Sequence, residues 1–172
     1  MFSLTACTEN VFTAESMLPF CNENAFNSAV DNVDTISIDV DIYDVALHSI
    51  AGDKVTVDYV SNNQTTVSAT LKDNTLHVVQ QSKPLTIHIS GTLYIVIGIP
   101  ESWSGYNIVA DVDTGALVLE DVKADKINVD CDTGAVNIGV QNASSVHVDV
   151  NTGAVKLTGK ANLVEVDTDT GA

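Results

Sequence analysis

The chain has 172 residues, 45% of them hydrophobic, few aromatics, and 23 acidic residues against 7 lysines and no arginine. The length allows one domain or one elongated array, and the composition fits neither a disordered nor a membrane protein. A net charge of −16 leaves no clustered cations for phosphate, which argues against nucleic acid as a partner and disfavours anionic lipid surfaces.

The first residues read as a tether. Leu4-Thr5-Ala6-Cys7 resembles a bacterial lipobox, whose cysteine becomes lipidated, and makes Cys7 the candidate anchor. Only six residues precede Cys7 and none is basic, short of a full export signal. A short helical turn is expected around Ala14 to Leu18, and residues 1–32 as a whole are expected to be a tether or the remnant of a signal.

Strand signals begin at Ile36-Ser37-Ile38-Asp39-Val40-Asp41, where apolar and polar residues alternate. Val45-Ala46-Leu47 follows a turn at Ile42-Tyr43-Asp44. Further strands are predicted at Val55 to Val60, Thr66 to Leu71, Thr75 to Gln80, Leu85 to Ile89 and Leu93 to Ile99, separated by Gly, Asn, Asp and Pro turn signals. Residues 33–104 are therefore expected to form an irregular β region. Trp103 and Tyr106 flank its end, beside Pro100 and Gly105. They are candidates for an aromatic contact patch, or for a plug between two sheet regions.

Residues 105–172 are a repeat array, continuous with the region before it. Asp-Thr-Gly-Ala or a near copy ends at Ala116, Ala135, Ala154 and Ala172, and the glycines Gly115, Gly134, Gly153 and Gly171 are spaced 19, 19 and 18 residues apart. A fixed period near 20 signals one unit copied along an axis. Before each glycine the apolar residues alternate, as in Ile127, Val129 and Cys131, and after it they alternate again, as in Val136 and Ile138. Each unit reads as strand, turn, strand and connector, with the Asp or Asn two residues before the glycine able to cap the turn. Two strands cannot bury an apolar face alone, so the units must stack. The predicted fold is all-β: a β-solenoid or β-roll-like parallel coil of about 19-residue two-strand repeats, preceded by less regular strands. A parallel coil is favoured over a meander of antiparallel hairpins, because a meander needs no constant step. Ile36 to Asp41 matches Ile127 to Asp132 in alternation and paired aspartates, so the pattern reaches back into the first region.

Several constellations could carry chemistry. Asp-Thr-Gly is also the aspartic-protease loop, but those enzymes need two aspartates sharing a proton across a cleft, whereas four evenly spaced copies speak of architecture. Stacking would instead bring Asp111, Asp130, Asp149 and Asp167 into one column and Asp113, Asp132 and Asp169 into another, with Asn151 as the neutral member. Like charges about 4.8 Å apart repel by roughly 1 kcal/mol per neighbour in water. Calcium could relieve that repulsion, and these seven aspartates are the candidate ligands, though neither the twelve-residue calcium loop nor the glycine-rich nonapeptide is present. The competing reading is a solvated acidic face with no cofactor. The histidines show no zinc-ligand spacing, no nucleophile elbow occurs, and no apolar run could span a bilayer.

From Val33 to Ala172 the chain resembles a bacterial cell-envelope family labelled putative adhesin, built of degenerate β-strand repeats. The matching stretches are Ile36-Ser37-Ile38-Asp39-Val40, Ile95-Val96-Ile97-Gly98-Ile99-Pro100, and the units from Val112-Asp113-Thr114-Gly115 to Asp167-Thr168-Asp169-Thr170-Gly171. The resemblance implies a solenoid-like fold, export and a role at the cell surface or envelope, with no catalytic residues to carry over. The expected function is a non-enzymatic module presenting an acidic β-face to a protein or glycan partner. The alternatives are a parallel β-helix enzyme using paired aspartates on carbohydrate, a structural spacer, or an envelope-stress sensor. The last coil lacks a terminal cap, so end-to-end self-association, or a longer parent protein, is a further expectation.

Overall fold

The computed structural model of the chain describes residues 12–29, 33–62, 64–82, 92–103 and 107–171. The strand expected at Leu85 to Ile89 lies outside these residues. A short helix α1 (Ala14–Met17) and a 3-10 turn (Leu18–Phe20) precede ten strands: β1 (Glu23–Ala29), β2 (Thr35–Val40), β3 (Asp44–Ile50), β4 (Lys54–Tyr59), β5 (Thr65–Lys72), β6 (Thr75–Ser82), β7 (Tyr94–Pro100), β8 (Asn107–Thr114), β9 (Leu117–Lys123) and β10 (Lys126–Gly171). All ten belong to one sheet, in the order β1-β4-β7-β3-β9-β10-β8-β2-β6-β5.

The sheet coils on itself. One ladder runs β6, β2, β8 and the first limb of β10, all parallel, and a second runs β7, β3, β9 and the next limb of β10, also parallel. The antiparallel meander is thereby excluded for the array. Register follows the apolar alternation: Ile36, Ile108 and Ile127 stack, as do Val40, Val112 and Cys131. On the second ladder Val45, Leu117 and Val136 stack. All of these are buried, and they line one continuous core between the two ladders. Each such side chain withdrawn from water contributes about 1.5–3 kcal/mol, so each coil depends on its neighbours for its stability.

The turn at the glycine is itself part of the ladder. Thr114 N donates to Asp41 O, Gly115 N to Thr133 O, and Val45 N to Ala116 O. Because pairing continues around the corner, β10 runs unbroken for 46 residues through several coils, where separate strands and connectors were expected. The side chain that caps this turn comes from the adjacent coil: Asp44 Oδ1 accepts from Ala116 N at 2.7 Å. Asp113, the expected cap, points its strand position outward.

Two features of the first hundred residues differ from expectation, and a hairpin falls where a turn was expected. Residues 23–29 are a strand, β1, paired antiparallel with β4, and α1 packs Ala14 and Met17 against Ala46, Val96 and Val118. Tethering therefore does not describe this part of the N-terminal segment. Its polar, weakly alternating sequence gave little strand signal, because only one of its edges and part of one face are covered. Next, β5 and β6 form a hairpin whose turn residues Asp73 and Asn74 both have positive φ, 50° and 59°, the left-handed values of a tight two-residue turn. Finally, spatial order departs from chain order. The coil β2–β3 is sandwiched between β6–β7, which follow it, and β8–β9, which come later still. The first region thus contains one regular coil with later elements on both sides of it.

Candidate functional site

The distinctive surface is the outer face of the first ladder. Alternation sends one residue in two outward along β2 and β8, with Asp39, Asp111 and Asp113 exposed between buried Ile38, Val40, Ala110 and Val112. Register then does the rest: Asp39 pairs with Asp111, and Asp111 with Asp130. The 19-residue step continues into the next coil, where Asn151 Nδ2 donates to Asp132 Oδ1 at 2.6 Å. One step further the offset is 18, as the 3.3 Å contact of His147 Nδ1 with Glu165 Oε2 shows. A row of carboxylates from Asp39 through Asp111 and Asp130 is thus in place, with Asp149 and Asp167 at the following positions.

The electrostatics follow from that crowding. Partial desolvation raises Asp111 above the usual carboxylate range, reinforced by repulsion from Asp130, Asp39, Asp113 and Asp132. Asp41 is raised in the same way, by desolvation and then by Asp113 and Asp39. Amides, not cations, moderate the row. Gln80 Oε1 accepts from the backbone N–H of Asp41 and Ile42, while its Nε2 donates to Asp41 Oδ2 at 3.2 Å. Asn151 does the same service for Asp132, and Gln141 Nε2 donates to Asp121 Oδ2 at 2.9 Å on the second ladder. Sequence reading placed Asn151 in its column but missed Gln80 and Gln141, which follow no period.

In front of the row lies a shallow concavity of about 290 Å³ bounded by Val109, Asp111, Asn128, Asp130, His147 and Asp149. Among the described residues no three His, Cys, Asp or Glu side chains converge as they would around a metal ion. The candidate calcium residues Asp111, Asp113, Asp130, Asp132, Asp149, Asp167 and Asp169 are strung along an axis, one or two to each coil.

The remaining candidates separate. Trp103 is 1% exposed, and its indole Nε1 donates to Val33 O at 2.9 Å. It follows β7 and packs into the core, so it is not available as a contact surface. Tyr106 and Cys7 lie outside the described residues. Cys131 is buried in the interior column, where desolvation pushes its thiol up to about 11. No helix among the described residues is long and apolar enough to cross a membrane.

The glycines fix the geometry of the corner. A Cβ built on Gly134 would fall on the carbonyl of Gly115, one on Gly153 on that of Gly134, and one on Gly171 on that of Gly153. Only glycine allows coils to stack at this corner, so the repeated tetrad is a structural signature, and the sequence profile of one family, Toastrack DUF4097, matches residues 33–171. The chain belongs to the Toastrack DUF4097 family. Toastrack DUF4097 is a domain of unknown function with a solenoid-like all-β fold. Among curated proteins none matches the chain. Among solved structures, a putative adhesin from Bacteroides fragilis is 14% identical over 87% of this chain and 94% of its own, with a TM-score of 0.42. A putative cell adhesion protein from Clostridium sporogenes is 11% identical over 87% and 99%, with a TM-score of 0.37. A putative adhesin from Parabacteroides distasonis is 14% identical over 85% and 77%, with a TM-score of 0.34.

Proposed function

We propose that this Toastrack chain is a non-enzymatic bacterial surface or envelope module that presents its acidic β-face to a cationic protein or glycan partner. The observation that carries the reading is the register of Asp39, Asp111 and Asp130, which turns a weak sequence repeat into a line of like charge on a flat sheet. The display unit in this reading is the two-strand repeat of about 19 residues, the spacing of Gly115, Gly134 and Gly153. A partner with cationic groups at the strand spacing, about 4.8 Å, would relieve the repulsion that adds to desolvation in raising Asp111 and Asp41. Attraction of this kind acts mostly on association rate and weakens with salt. In the same reading the chain is exported, and the lipobox-like Leu4-Thr5-Ala6-Cys7 makes Cys7 its lipid anchor.

Panels of cationic peptides and glycans, read for both binding and product release, test the proposal. Salt-sensitive binding that weakens in an Asp111→Asn, Asp130→Asn double variant supports it. Release of a cleaved glycan, lost in Asp130→Asn alone, would overturn it in favour of a carbohydrate-active enzyme. Incorporation of labelled fatty acid in the host, abolished by Cys7→Ser, tests the anchor separately.

A further inference from the structure

The two outer faces of the coil are clothed differently. The ladders face each other across one core, so their outer sides point in opposite directions. The acidic row stands on the outer side of the first ladder. On the second, Ala46, Val96 and Val118 lie side by side and point outward, since Val45, Ile95 and Leu117 beside them point into the core. The N-terminal segment covers this apolar strip: Ala14 and Met17 pack on it, with Leu18 and Cys21 at its margin. Hydrogen bonds hold both ends of the segment. Ala14 N donates to Glu120 Oε1 at 3.1 Å, and Asn22 N donates to Tyr59 O at 3.0 Å.

Two large side chains of this docked segment remain in water. Phe12 and Phe20 are 42% and 63% exposed, and they are the exposed aromatics among the described residues. The Phe20 ring lies 5.7 Å from that of Tyr94 on β7. Charge divides the faces in the same sense. Asp58, Glu120 and Asp121, on β4 and β9, each accept a hydrogen bond, from Asn24 Nδ2, Ala14 N and Gln141 Nε2. Lys54 is exposed on β4, and so is Lys156, one 19-residue step after Asn137, the ladder partner of Val118. An anionic headgroup surface therefore repels the first face far more than the second.

Reach completes the argument. Phe12 is five residues after Cys7, a span of at most about 18 Å when fully extended. The coil, two sheets about 10 Å apart with side chains on both outer faces, is roughly as thick as that tether is long. A chain held at Cys7 and rooted on the second ladder thus has little slack with which to bring the first ladder down. We infer that the outer face of the second ladder, with Phe12 and Phe20, is the surface that lies on a lipid bilayer, and that the acidic row points away from it. The inference rests on the reading of Cys7 as the lipid anchor. Apolar rings settling at headgroup level supply the second attachment that a lipid anchor needs to hold firmly.

The full chain, coupled through Cys7 to a maleimide lipid in vesicles of phosphatidylethanolamine and phosphatidylglycerol, tests it. Burial pushes the thiols of Cys21 and Cys131 up to about 11, which spares them at neutral pH, and peptide mapping confirms the coupled site. Hydroxyl-radical footprinting then compares anchored with free protein. Modification of Phe12 and Phe20 is expected to fall about fivefold or more on anchoring, while Val109 and His147 on the acidic face stay as reactive as in the free chain. Unchanged Phe12 and Phe20, or protection of Val109 and His147, overturns the inference. Because the coupling supplies the anchor, a host that adds no fatty acid at Cys7 would sink the anchor reading while the footprint still decides the face.

Discussion

At the scale of single residues, Gly134 and Asp111 set opposite limits on the stack. Gly134 is one of the corners where two coils touch, because its missing Cβ leaves room for the Gly115 carbonyl. Gly134→Ala forces backbone apart on a ladder that cannot yield locally, and a loss of roughly 3 kcal/mol or more is expected in chemical denaturation. Gly52→Ala is the control: its φ of +119° strains a side chain, but nothing lies within 4 Å, so a smaller loss of about 1 kcal/mol is expected. Asp111 shows what the stack costs in charge. A carboxyl whose folded pKa lies above its unfolded value destabilises while ionised, and the penalty fades as pH falls through the folded value. Asp111→Asn is thus expected to raise stability at neutral pH by roughly 0.5 kcal/mol after screening. The gain should vanish as pH falls through the range just above the ordinary Asp value of about 4. Comparing variant with parent cancels His48, whose pKa burial lowers, so that proton uptake by the unfolded chain costs stability as pH falls below the ordinary His value of about 6.5. A gain that persists at low pH would contradict the assignment.

At the scale of elements, much of the array was legible and the cap was not. Ile36 to Val40 and Ile127 to Cys131 share one alternation, and the structure stacks both on Ile108 to Val112, because a buried column tolerates few residue types and so repeats itself. The helical turn expected around Ala14 to Leu18 is found at Ala14–Met17, where Thr13 Oγ1 accepts from Ser16 N, a cap the sequence reading did not use. Strand β1 carried almost no pattern, since the edge of a sheet imposes little on its side chains. The acidic row was legible in residue type and spacing, but its amide partners depended on tertiary placement. So did Tyr43, read only as a turn residue. It is fully buried, and its hydroxyl donates to Val60 O at 3.0 Å and to Thr65 Oγ1 at 3.3 Å, which ties the β2–β3 turn to the approach to β5. Tyr43→Phe leaves those acceptors short of a donor and is expected to cost about 1–2 kcal/mol in thermal or denaturant unfolding. A neutral result would mean the turn is held by packing alone.

At the scale of the whole molecule, stability should be graded along the axis. Stacked coils behave as a chain of nearest-neighbour interfaces. The β2–β3 coil has a partner on both sides, while β1 and β5, at the edges of the sheet, have one each among the described residues. Amide exchange is expected to be slowest in β2, β3, β8 and β9 and faster in β1 and β5. Equal protection of β1 and β2 would contradict a graded stack.

The sandwiching of β2–β3 also bears on how the polypeptide reaches this state. When a ribosome or a translocation channel delivers the chain from its amino end, this coil emerges early, yet its neighbours arrive in two later instalments. It must wait as a seed with both rims bare while growth proceeds first towards one pole and then reverses towards the other. Such a protein cannot assemble by simple zippering from one terminus, and a chaperone guarding bare strand rims during delivery would find its busiest moment before Asn107 appears.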